Sequence, residues 1–510
     1  MARAAGVASA ATLLGRILGF VRDAAVAAVF GAGPVADAFI VAFRIPNLWR
    51  RLVAEGALTV AFIPAFLEVR VREGRRAAGD LAAHALRQFG LLLFGVAGLG
   101  MAVAPFLVSC MAPGFVHRPE VFDLAAALTR VMLPYLPLAG MAAVCMGALQ
   151  AEDRFAAPAL APVCLNLAMI GAVFGLAAPL GSAAIALALG VLLGGGLQLA
   201  LQAGALRQNG FSLFRRPGGE KPNLARLAAR TVPAALGASV LHVNLVAATF
   251  LASFLPEGRV AALYFADRLL QFPLGLIGAA LGAAALPSLS RDFAAGDWNG
   301  FLQNGRFALR LAFFLTLPAA AGLLALRAPI VGLLFGRGAF QAGAVRETAT
   351  ALLGFGLGLP AFAGVRVVLA ACFATGDARL PLWTGLCAMG INLVLGWILL
   401  GPWGHAGVAL GVAGAGWTHL FLLLVFAGGG KWRFCDRFFW KSACQSLAGS
   451  LIMSPVAVFV ARLFPPTGGT ASQAVALVAA IAAGVFVYGL FSHGIRHPEF
   501  SSLLAIIRKE

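Results

Sequence analysis

The chain of 510 residues is too apolar to fold as a set of soluble domains. Hydrophobic residues make up 61% of it and charged residues only 11%, whereas a soluble domain is about 45–50% apolar and about 25% charged. Lys and Arg number 38 against 20 Asp and Glu, a net charge of +18. In a soluble chain this excess would indicate nucleic-acid binding, but here the basic residues lie between apolar segments. The composition therefore predicts an all-α polytopic membrane protein.

Apolar segments long enough to cross a bilayer, which takes about 20 residues, recur along the whole chain. Fourteen are predicted, near residues 6–31, 34–67, 82–112, 122–150, 157–179, 182–206, 224–255, 259–290, 300–326, 344–374, 380–400, 405–428, 442–464 and 471–492. The segments that begin near 34, 82, 122 and 344 are longer than one span requires. We expect tilts, extensions beyond the bilayer or breaks in these four.

The basic residues between the spans predict the orientation of the chain. They cluster after span 2, between spans 6 and 7, between spans 12 and 13 and at the C-terminus, which a fourteen-span arrangement places on one side. Cytoplasmic loops carry an excess of Lys and Arg, so that side is predicted to be cytoplasmic, with both termini inside. Together with this topology, contacts with the anionic headgroups of the cytoplasmic leaflet explain most of the excess of basic residues.

A sequence repeat with an offset of about 224 residues predicts two related halves. Gly140 corresponds to Gly364 and Asp153 to Asp377 at +224, and Pro64 corresponds to Pro287 at +223. Each pair alone fits chance similarity, but agreement over more than a hundred residues favours duplication. Six spans per copy, an even number, give both copies the same orientation, as in parallel-repeat transporters. The predicted regions are an N-terminal lobe at 1–210, a C-terminal lobe at 222–430, two further spans at 440–495 and a cytoplasmic tail at 496–510.

Spans 1, 2 and 8 carry an unusual number of charged residues for membrane segments. A charge at the centre of a span costs roughly 2.5–3.5 kcal/mol on insertion scales, so these side chains are expected to face protein or water. The three spans hold six arginines, Arg16, Arg22, Arg44, Arg50, Arg51 and Arg268, and four carboxylates, Asp23, Asp37, Glu55 and Asp267.

The excess of arginine over carboxylate predicts an anionic substrate. Asp37, Arg44 and Arg51 are spaced seven apart, close to one helical face, and Glu55 follows Arg51 by four residues. Arginine–carboxylate pairing as structural support stays an equal alternative for Arg44 and Arg51. The arginines left over present planar forks suited to phosphate, so a phosphorylated substrate is predicted.

The sequence motifs do not indicate ATP hydrolysis or metal chemistry. The sequence has no GxxxxGK[ST] motif, its seven histidines are scattered, and its seven cysteines lack metal-ligand spacing. No cofactor is predicted, and the expected energy source is the membrane potential or an ion gradient. Asn166, Asn244 and Asn392 are expected to form interhelical hydrogen bonds rather than an ion site.

Several motifs resemble the MurJ (MviN) family of lipid II flippases, within the multidrug/oligosaccharidyl-lipid/polysaccharide exporter superfamily. The resemblance rests on GRILGFVRD at 15–23, FGAGPVADAFIVAFRIPNLWRRLVAEGALTVAFIP at 30–64, ADRLLQFP at 266–273 and LPSLS at 286–290. It implies a V-shaped pair of six-helix lobes around a cationic cavity. It also implies two extra helices that form a groove for the lipid tail.

The function that this resemblance implies is the flipping of undecaprenyl-pyrophosphate-linked disaccharide-pentapeptide, the peptidoglycan precursor lipid II, across the bacterial inner membrane. Membrane lipids and cell-wall synthesis proteins are the other expected partners. The family's cavity arginines correspond to Arg16, Arg22, Arg50 and Arg268, and its acidic and polar neighbours to Asp23, Asp37, Asn47 and Glu55. Supporting positions are Arg44, Arg51, Asp267 and Gln271. Gln271 departs from the family pattern, because many relatives have a carboxylate there, and Arg44 replaces a common lysine.

Two alternative functions compete with the flippase. A related exporter of another polyprenyl-linked glycan or of amphiphilic drugs fits the span pattern, but a drug exporter would more often carry acidic residues. A membrane-embedded transferase would need convergent carboxylates or histidines and a sizeable outer loop, whereas the predicted outer turns are short.

Overall fold

The computed structural model describes residues 2–50, 59–211, 246–377, 379–430, 432–463 and 469–507 as helices joined by short turns. Within these residues, nine helices are long and apolar enough to cross a membrane, and a bent pair of helices makes a tenth candidate. The multi-span helical class predicted from composition is therefore confirmed, while the count of fourteen spans stays a prediction. The chain divides into two compact units, Met1–Ala261 and Ala262–Glu510.

Within the described residues, the first unit contains a helical stretch at 246–252 and ten further α-helices, and another begins near its end. They are α1 Ala2–Phe30, α2 Pro34–Arg50, α3 Thr59–Arg72, α4 Gly74–Ala102, α5 Ala104–Met111, α6 Pro119–Met132, α7 Tyr135–Ala151, α8 Ala156–Gly175, α9 Ala177–Leu180, α10 Ala183–Gln208 and α11 Arg259–Ala294. Predicted span 7 lies mostly outside the described residues.

Within the part of the chain that the structure describes, the second unit continues from α11 with eight more α-helices. They are α12 Trp298–Ala325, α13 Arg327–Phe335, α14 Ala342–Gly356, α15 Leu359–Ala374, α16 Arg379–Phe426, α17 Arg437–Arg462, α18 Thr470–Gly494 and α19 Pro498–Ile507. A straight helix of the 48 residues of α16 would be about 72 Å long, far more than the ~30 Å hydrocarbon core. Gly404, with φ 55° and ψ −132°, interrupts α16 between predicted spans 11 and 12.

Breaks occur in the long apolar segments where the sequence predicted tilts, extensions or breaks. Val103 separates α4 from α5, and a turn after Met132 separates α6 from α7. α14 and α15 are bent by 44° at their junction. In the segment that begins near residue 34, residues 51–58 lie outside the described residues, so the break expected there stays a prediction.

The helix boundaries repeat along the chain with the offset found in the sequence. α4, α5, α6 and α7 correspond to α12, α13, α14 and α15, and both ends of each helix recur 224 residues later to within one residue. The breaks between these helices therefore occupy equivalent positions, which is the pattern expected of a duplicated segment.

In the first unit, small residues allow the helices to approach closely. A Cβ added at Gly190 on α10 would lie 2.7 Å from the Cβ of Ala172 on α8, and one at Gly194 would lie 2.6 Å from Leu165. Small residues at such crossings are typical of helix packing in membranes.

In the second unit, α17 packs against both α12 and α18. Phe314, Met453 and Tyr488 form a buried cluster where these helices meet. The sequence assigned residues 496–510 only to a tail, but the structure places α19 there, because its Glu499 is buried against α12 and α17.

Candidate substrate-binding site

Arg22 of α1 lies in a buried polar cluster that joins α1 to α8. Its guanidinium donates to the Asp23 carboxylate at 2.6 and 3.1 Å and to the Asn166 side-chain oxygen at 3.1 Å. The Asn166 amide in turn donates to the carbonyl of Gly15 at 3.0 Å. The interhelical role expected for Asn166 is thus observed. The cluster holds the guanidinium of Arg22 in one orientation.

The other arginines of the first unit that are predicted to bind or support the substrate differ in solvent exposure. Arg16 is exposed on α1, six residues before Arg22. Arg50 is partly buried at the end of α2 and donates to the side-chain oxygen of Asn47 at 3.2 Å. Arg44 is buried in the same helix, with a relative exposure of 9%. Arg51 and Glu55 lie outside the described residues, so their predicted pairing stays a prediction.

Asp37 is placed differently from its charged neighbours on α2. Only 1% of it is exposed, and its carboxylate accepts backbone hydrogen bonds from Gly258 at 2.6 Å and from Ala261 at 2.7 Å. These amides lie at the N-terminus of α11, where a negative charge is favourable. In this structure Asp37 is a helix cap, and its predicted part in substrate binding stays a prediction.

The segment before α11 is held against the same unit at two further points. The backbone amide of Gly114 donates to the Ser253 hydroxyl at 3.0 Å, and Arg118 donates to the carbonyls of Ser253 and Leu255. We call Asp37, Arg118 and the segment 253–261 that they bind the clasp. The clasp explains why residues 246–261, assigned by sequence to the C-terminal lobe, pack within the first unit.

In the second unit, α11 presents a polar face that includes Arg268. The Arg268 guanidinium lies 4.8 Å from the centre of the Tyr264 ring and donates to the Tyr264 hydroxyl at 3.2 Å. One turn later, the side-chain amide of Gln271 donates to the Asp267 carboxylate at 2.5 Å. The side chain of Gln271 therefore binds Asp267 through a neutral amide, and it adds no negative charge beside Arg268.

Two further charged residues, which the sequence analysis does not single out, lie within the second unit. Arg366 is exposed in the middle of α15, and Glu499 is fully buried beside Arg310. Arg366 is the only charged residue of its helix, a signal that a count of charges in every span would have found. No comparable sequence signal marks Glu499, because its burial depends on the position of α19.

The fold and this distribution of charge define a polytopic helical membrane protein with arginines buried within its membrane segments. The sequence profile of the family described as "Lipid II flippase MurJ" matches residues 26–479. The chain belongs to this family.

Curated relatives agree with this assignment. The chain is 37% identical to the "Probable lipid II flippase MurJ" of Rhizobium tropici over 473 residues, 91% of this chain and 87% of that protein. It is 34% identical to the "Lipid II flippase MurJ" of Burkholderia cenocepacia over 435 residues, 84% of this chain and 83% of that protein.

Two structural likenesses concern the fold alone. A structure titled "Lipid II flippase MurJ, inward closed conformation" matches with a TM-score of 0.80 at 23% identity, over 96% of this chain and 99% of that chain. An inward-facing MATE family multidrug transporter of the MOP superfamily matches with a TM-score of 0.69 at 17% identity, over 84% of this chain and 97% of that chain.

Proposed function

We propose that this protein flips lipid II, the undecaprenyl-pyrophosphate-linked peptidoglycan precursor, from the inner to the outer leaflet of the bacterial cytoplasmic membrane. It acts as a transporter that alternates between inward- and outward-open states, without making or breaking covalent bonds. The alternative, export of another polyprenyl-linked glycan or of amphiphilic drugs, is not favoured by the family match.

The observation that carries this proposal is the set of arginines in membrane helices of a chain that belongs to this family. Arg22 is held in a fixed orientation by Asp23 and Asn166, and Arg268 is held against Tyr264. A guanidinium whose position is fixed by neighbours forms a bidentate contact with phosphate at a lower entropic cost. Arg16, Arg22 and Arg50 in the first unit and Arg268 in the second are the proposed substrate contacts.

Substitution of these four arginines tests the proposal. Alanine at Arg16, Arg22, Arg50 or Arg268 is expected to abolish growth of a strain depleted of its own lipid II flippase, with the protein still inserted at normal levels. Lysine at Arg16 or Arg268 should rescue growth only partly, because an ammonium does not reproduce the bidentate fork. Arg51→Ala is the matched control and should be tolerated. Normal growth of all four alanine variants would contradict the substrate assignment.

A second measurement ties the growth defect to lipid II itself. Depletion of the protein should cause the lipid-linked precursor to accumulate in the inner leaflet, where externally added enzymes do not reach it. Unchanged access of such an enzyme to lipid II after depletion would count against a flippase.

The proposed topology has fourteen spans and both termini in the cytoplasm. Side-chain contacts within each unit support it, because each joins residues that the topology puts on one side. Arg70 pairs with Glu152 at 2.8 Å, and Arg306 donates to the Arg433 carbonyl at 2.8 Å, all four on the proposed cytoplasmic side. On the proposed outer side, His405 contacts Glu347, and Asp37 binds the turn before α11. Reporter fusions that place either terminus outside would contradict this topology.

The expected energy source is the membrane potential or an ion gradient. The potential contributes about 2.3 kcal/mol per elementary charge per 100 mV, so a conformational change that moves arginines through the field would respond to it. Collapse of the potential with an ionophore should slow flipping in vesicles without ATP. Flipping by the purified protein that requires ATP would contradict this expectation.

The two helices α17 and α18 are the proposed contact for the polyprenyl tail. They carry a series of exposed large apolar side chains, among them Leu447, Leu451, Phe459, Val478 and Phe486. A photoreactive group in the isoprenoid chain of the substrate should label these helices.

A further inference from the structure

Three arginines of the second unit lie on the proposed outer side of the membrane. Arg327 begins α13, Arg337 lies in the turn that follows this helix, and Arg346 lies in the second turn of α14. Arg337 and Arg346 are exposed, whereas Arg327 is partly buried. Because an excess of basic residues is a feature of cytoplasmic loops, the orientation of the chain does not explain these three.

The equivalent segment of the first copy carries the opposite balance of charge. Residues 327–350 hold three arginines and one carboxylate, whereas residues 103–126, which precede them by 224 positions, hold one arginine and two carboxylates. That one arginine, Arg118, belongs to the clasp. Both copies build the same helices from these segments, so the repeated packing does not require the cations of the second copy.

Neither Arg337 nor Arg346 forms an ion pair with another residue that the structure describes. The Nη2 of Arg337 donates to the carbonyl of Leu333, in the last turn of α13, at 2.8 Å. The side chain of Arg346 makes no hydrogen bond within the described ranges. Both guanidiniums therefore keep donors for a ligand.

The two arginines lie at the same end of the hairpin that α13 and α14 form. A Cβ added at Gly332 on α13 would lie 3.9 Å from the side chain of Val345 on α14. Arg346 directly follows Val345, and the side chain of Arg337 reaches back to Leu333, which directly follows Gly332. One end of the hairpin thus carries both guanidiniums.

This hairpin packs against the beginning of α11. The ring of Phe265 on α11 lies 5.0 Å from that of Phe335 and 5.3 Å from that of Phe340, measured between centroids, and all three side chains are buried. Phe335 and Phe340 flank the turn that carries Arg337. Phe265 precedes the proposed substrate contact Arg268 by three residues, about 5 Å along the helix axis. The packing therefore holds the turn beside the outer end of a proposed substrate-binding helix.

We propose that Arg337 and Arg346 form an outer anion site, which binds the pyrophosphate of lipid II after the headgroup has passed Arg268. A pyrophosphate offers anionic oxygens on two phosphorus atoms, so each guanidinium can form a bidentate contact with one of them. The phosphodiester of a phospholipid matches one fork only. This site rests on the proposed function and topology, since it names a contact of that same substrate on the side where it is released.

Protection of the arginines from phenylglyoxal, read by mass spectrometry on the purified full-length protein in detergent, tests the site. Undecaprenyl pyrophosphate and lipid II should each protect Arg337 and Arg346, and phosphatidylglycerol at the same concentration should not. Protection by lipid II alone would point to the peptide carboxylates, and equal protection by phosphatidylglycerol would point to bulk lipid. Either result, or no protection by any of the three, would overturn the proposal.

A substitution at Arg337 tests whether the two arginines act on one ligand. Arg337→Gln should raise about tenfold the concentration of undecaprenyl pyrophosphate that half-protects Arg346, because one of two charged contacts is lost. Arg327→Gln is the matched control. It removes a cation of the same segment whose guanidinium binds the carbonyl of Leu324, and it should leave that concentration unchanged. An equal effect of the two variants would indicate a response to net charge and would overturn the proposal.

Arg16, a proposed substrate contact that is exposed on α1, separates this site from the proposed function. Protection of Arg16 by lipid II should be the same in wild type and in Arg337→Gln, which also shows that the variant is folded. If lipid II protects Arg16 but neither outer arginine, the outer site is wrong and the proposed function stands. If lipid II protects none of the three, the proposed function fails as well.

Discussion

The Asp37 carboxylate and the backbone amide of Ala261 are joined by a hydrogen bond of 2.7 Å across 224 residues of sequence. A second bond of 2.6 Å runs from the amide of Gly258 to the other carboxylate oxygen. The start of α2 thus caps the start of α11, and Arg118 binds the carbonyls just before that cap. The groups that bind the Asp37 carboxylate therefore lie at the start of α11 and not on α2, the helix that carries Asp37.

Loss of the Asp37 carboxylate should destabilise the first unit. Asp37→Ala leaves two buried amides without their acceptor, and each such group costs about 1–3 kcal/mol, so we expect a loss of about 2–6 kcal/mol. Asp37→Asn retains one oxygen and should lose less. The measurement is the thermal unfolding midpoint in detergent. Asp123→Ala, which removes an exposed carboxylate of α6, is the control, and an equal shift in both alanine variants would contradict the capping role.

Gly258 is expected to tolerate no side chain. It has φ 82°, and an added Cβ would lie 2.2 Å from the backbone oxygen of Ala32, so the turn before α11 would have to move away from α2. Gly296 has a similar φ of 71° but open space around it. Gly296→Ala should therefore lower the free energy of unfolding only by the backbone strain, about 1 kcal/mol. Gly258→Ala should lower it by more than that. Equal unfolding midpoints for the two variants would show that the contact with Ala32 does not matter.

Asn166 should matter for transport beyond its effect on stability. It binds Arg22 and the Gly15 carbonyl, whereas Gln198 on α10 donates to the carbonyl of Ala161, also on α8, at 2.9 Å. Both side chains join membrane helices, and alanine at either should cost about 0.6–2 kcal/mol. Only Asn166→Ala should also reduce complementation, because it releases the guanidinium of Arg22. Similar growth of the two variants at equal membrane levels would argue against an orienting role.

The sequence predicted the helical class, the long broken segments and the repeat, because hydropathy and helix-breaking turns are local properties. It did not predict the partner of Asp37, since seven-residue spacing assigns a residue to a helical face but does not say what packs against that face. The pattern placed Asp37 with Arg44, but the structure turns its carboxylate to the α11 amides. Glu499 was assigned to a tail for the same reason: its partners lie on helices distant in sequence.

The buried carboxylate of Glu499 is expected to hold α19 against the second unit. It accepts hydrogen bonds from Arg310 of α12 at 2.5 Å and from the Ser442 hydroxyl of α17 at 3.0 Å, and His497 lies 3.1 Å away. Burial alone would raise the pKa of Glu499, but the hydrogen bonds from His497, Arg310 and Ser442 outweigh it and lower the pKa from 4.5 to about 2. The ionised form is therefore the one that the folded state stabilises.

A depressed pKa in the folded state means that this stabilisation is present in full above pH 4.5 and is lost as the pH falls toward 2. Glu499→Gln should lower stability by about 3 kcal/mol at pH 7, the scale for breaking a buried ion pair. In a His497→Gln background, which removes the imidazole as a partner of the carboxylate, the difference between Glu499 and Glu499→Gln, measured as thermal midpoints in detergent, should stay constant between pH 7 and 5 and shrink below pH 4.5. A difference that widens below pH 4.5 in that background would contradict an ionised Glu499 as the anchor of α19.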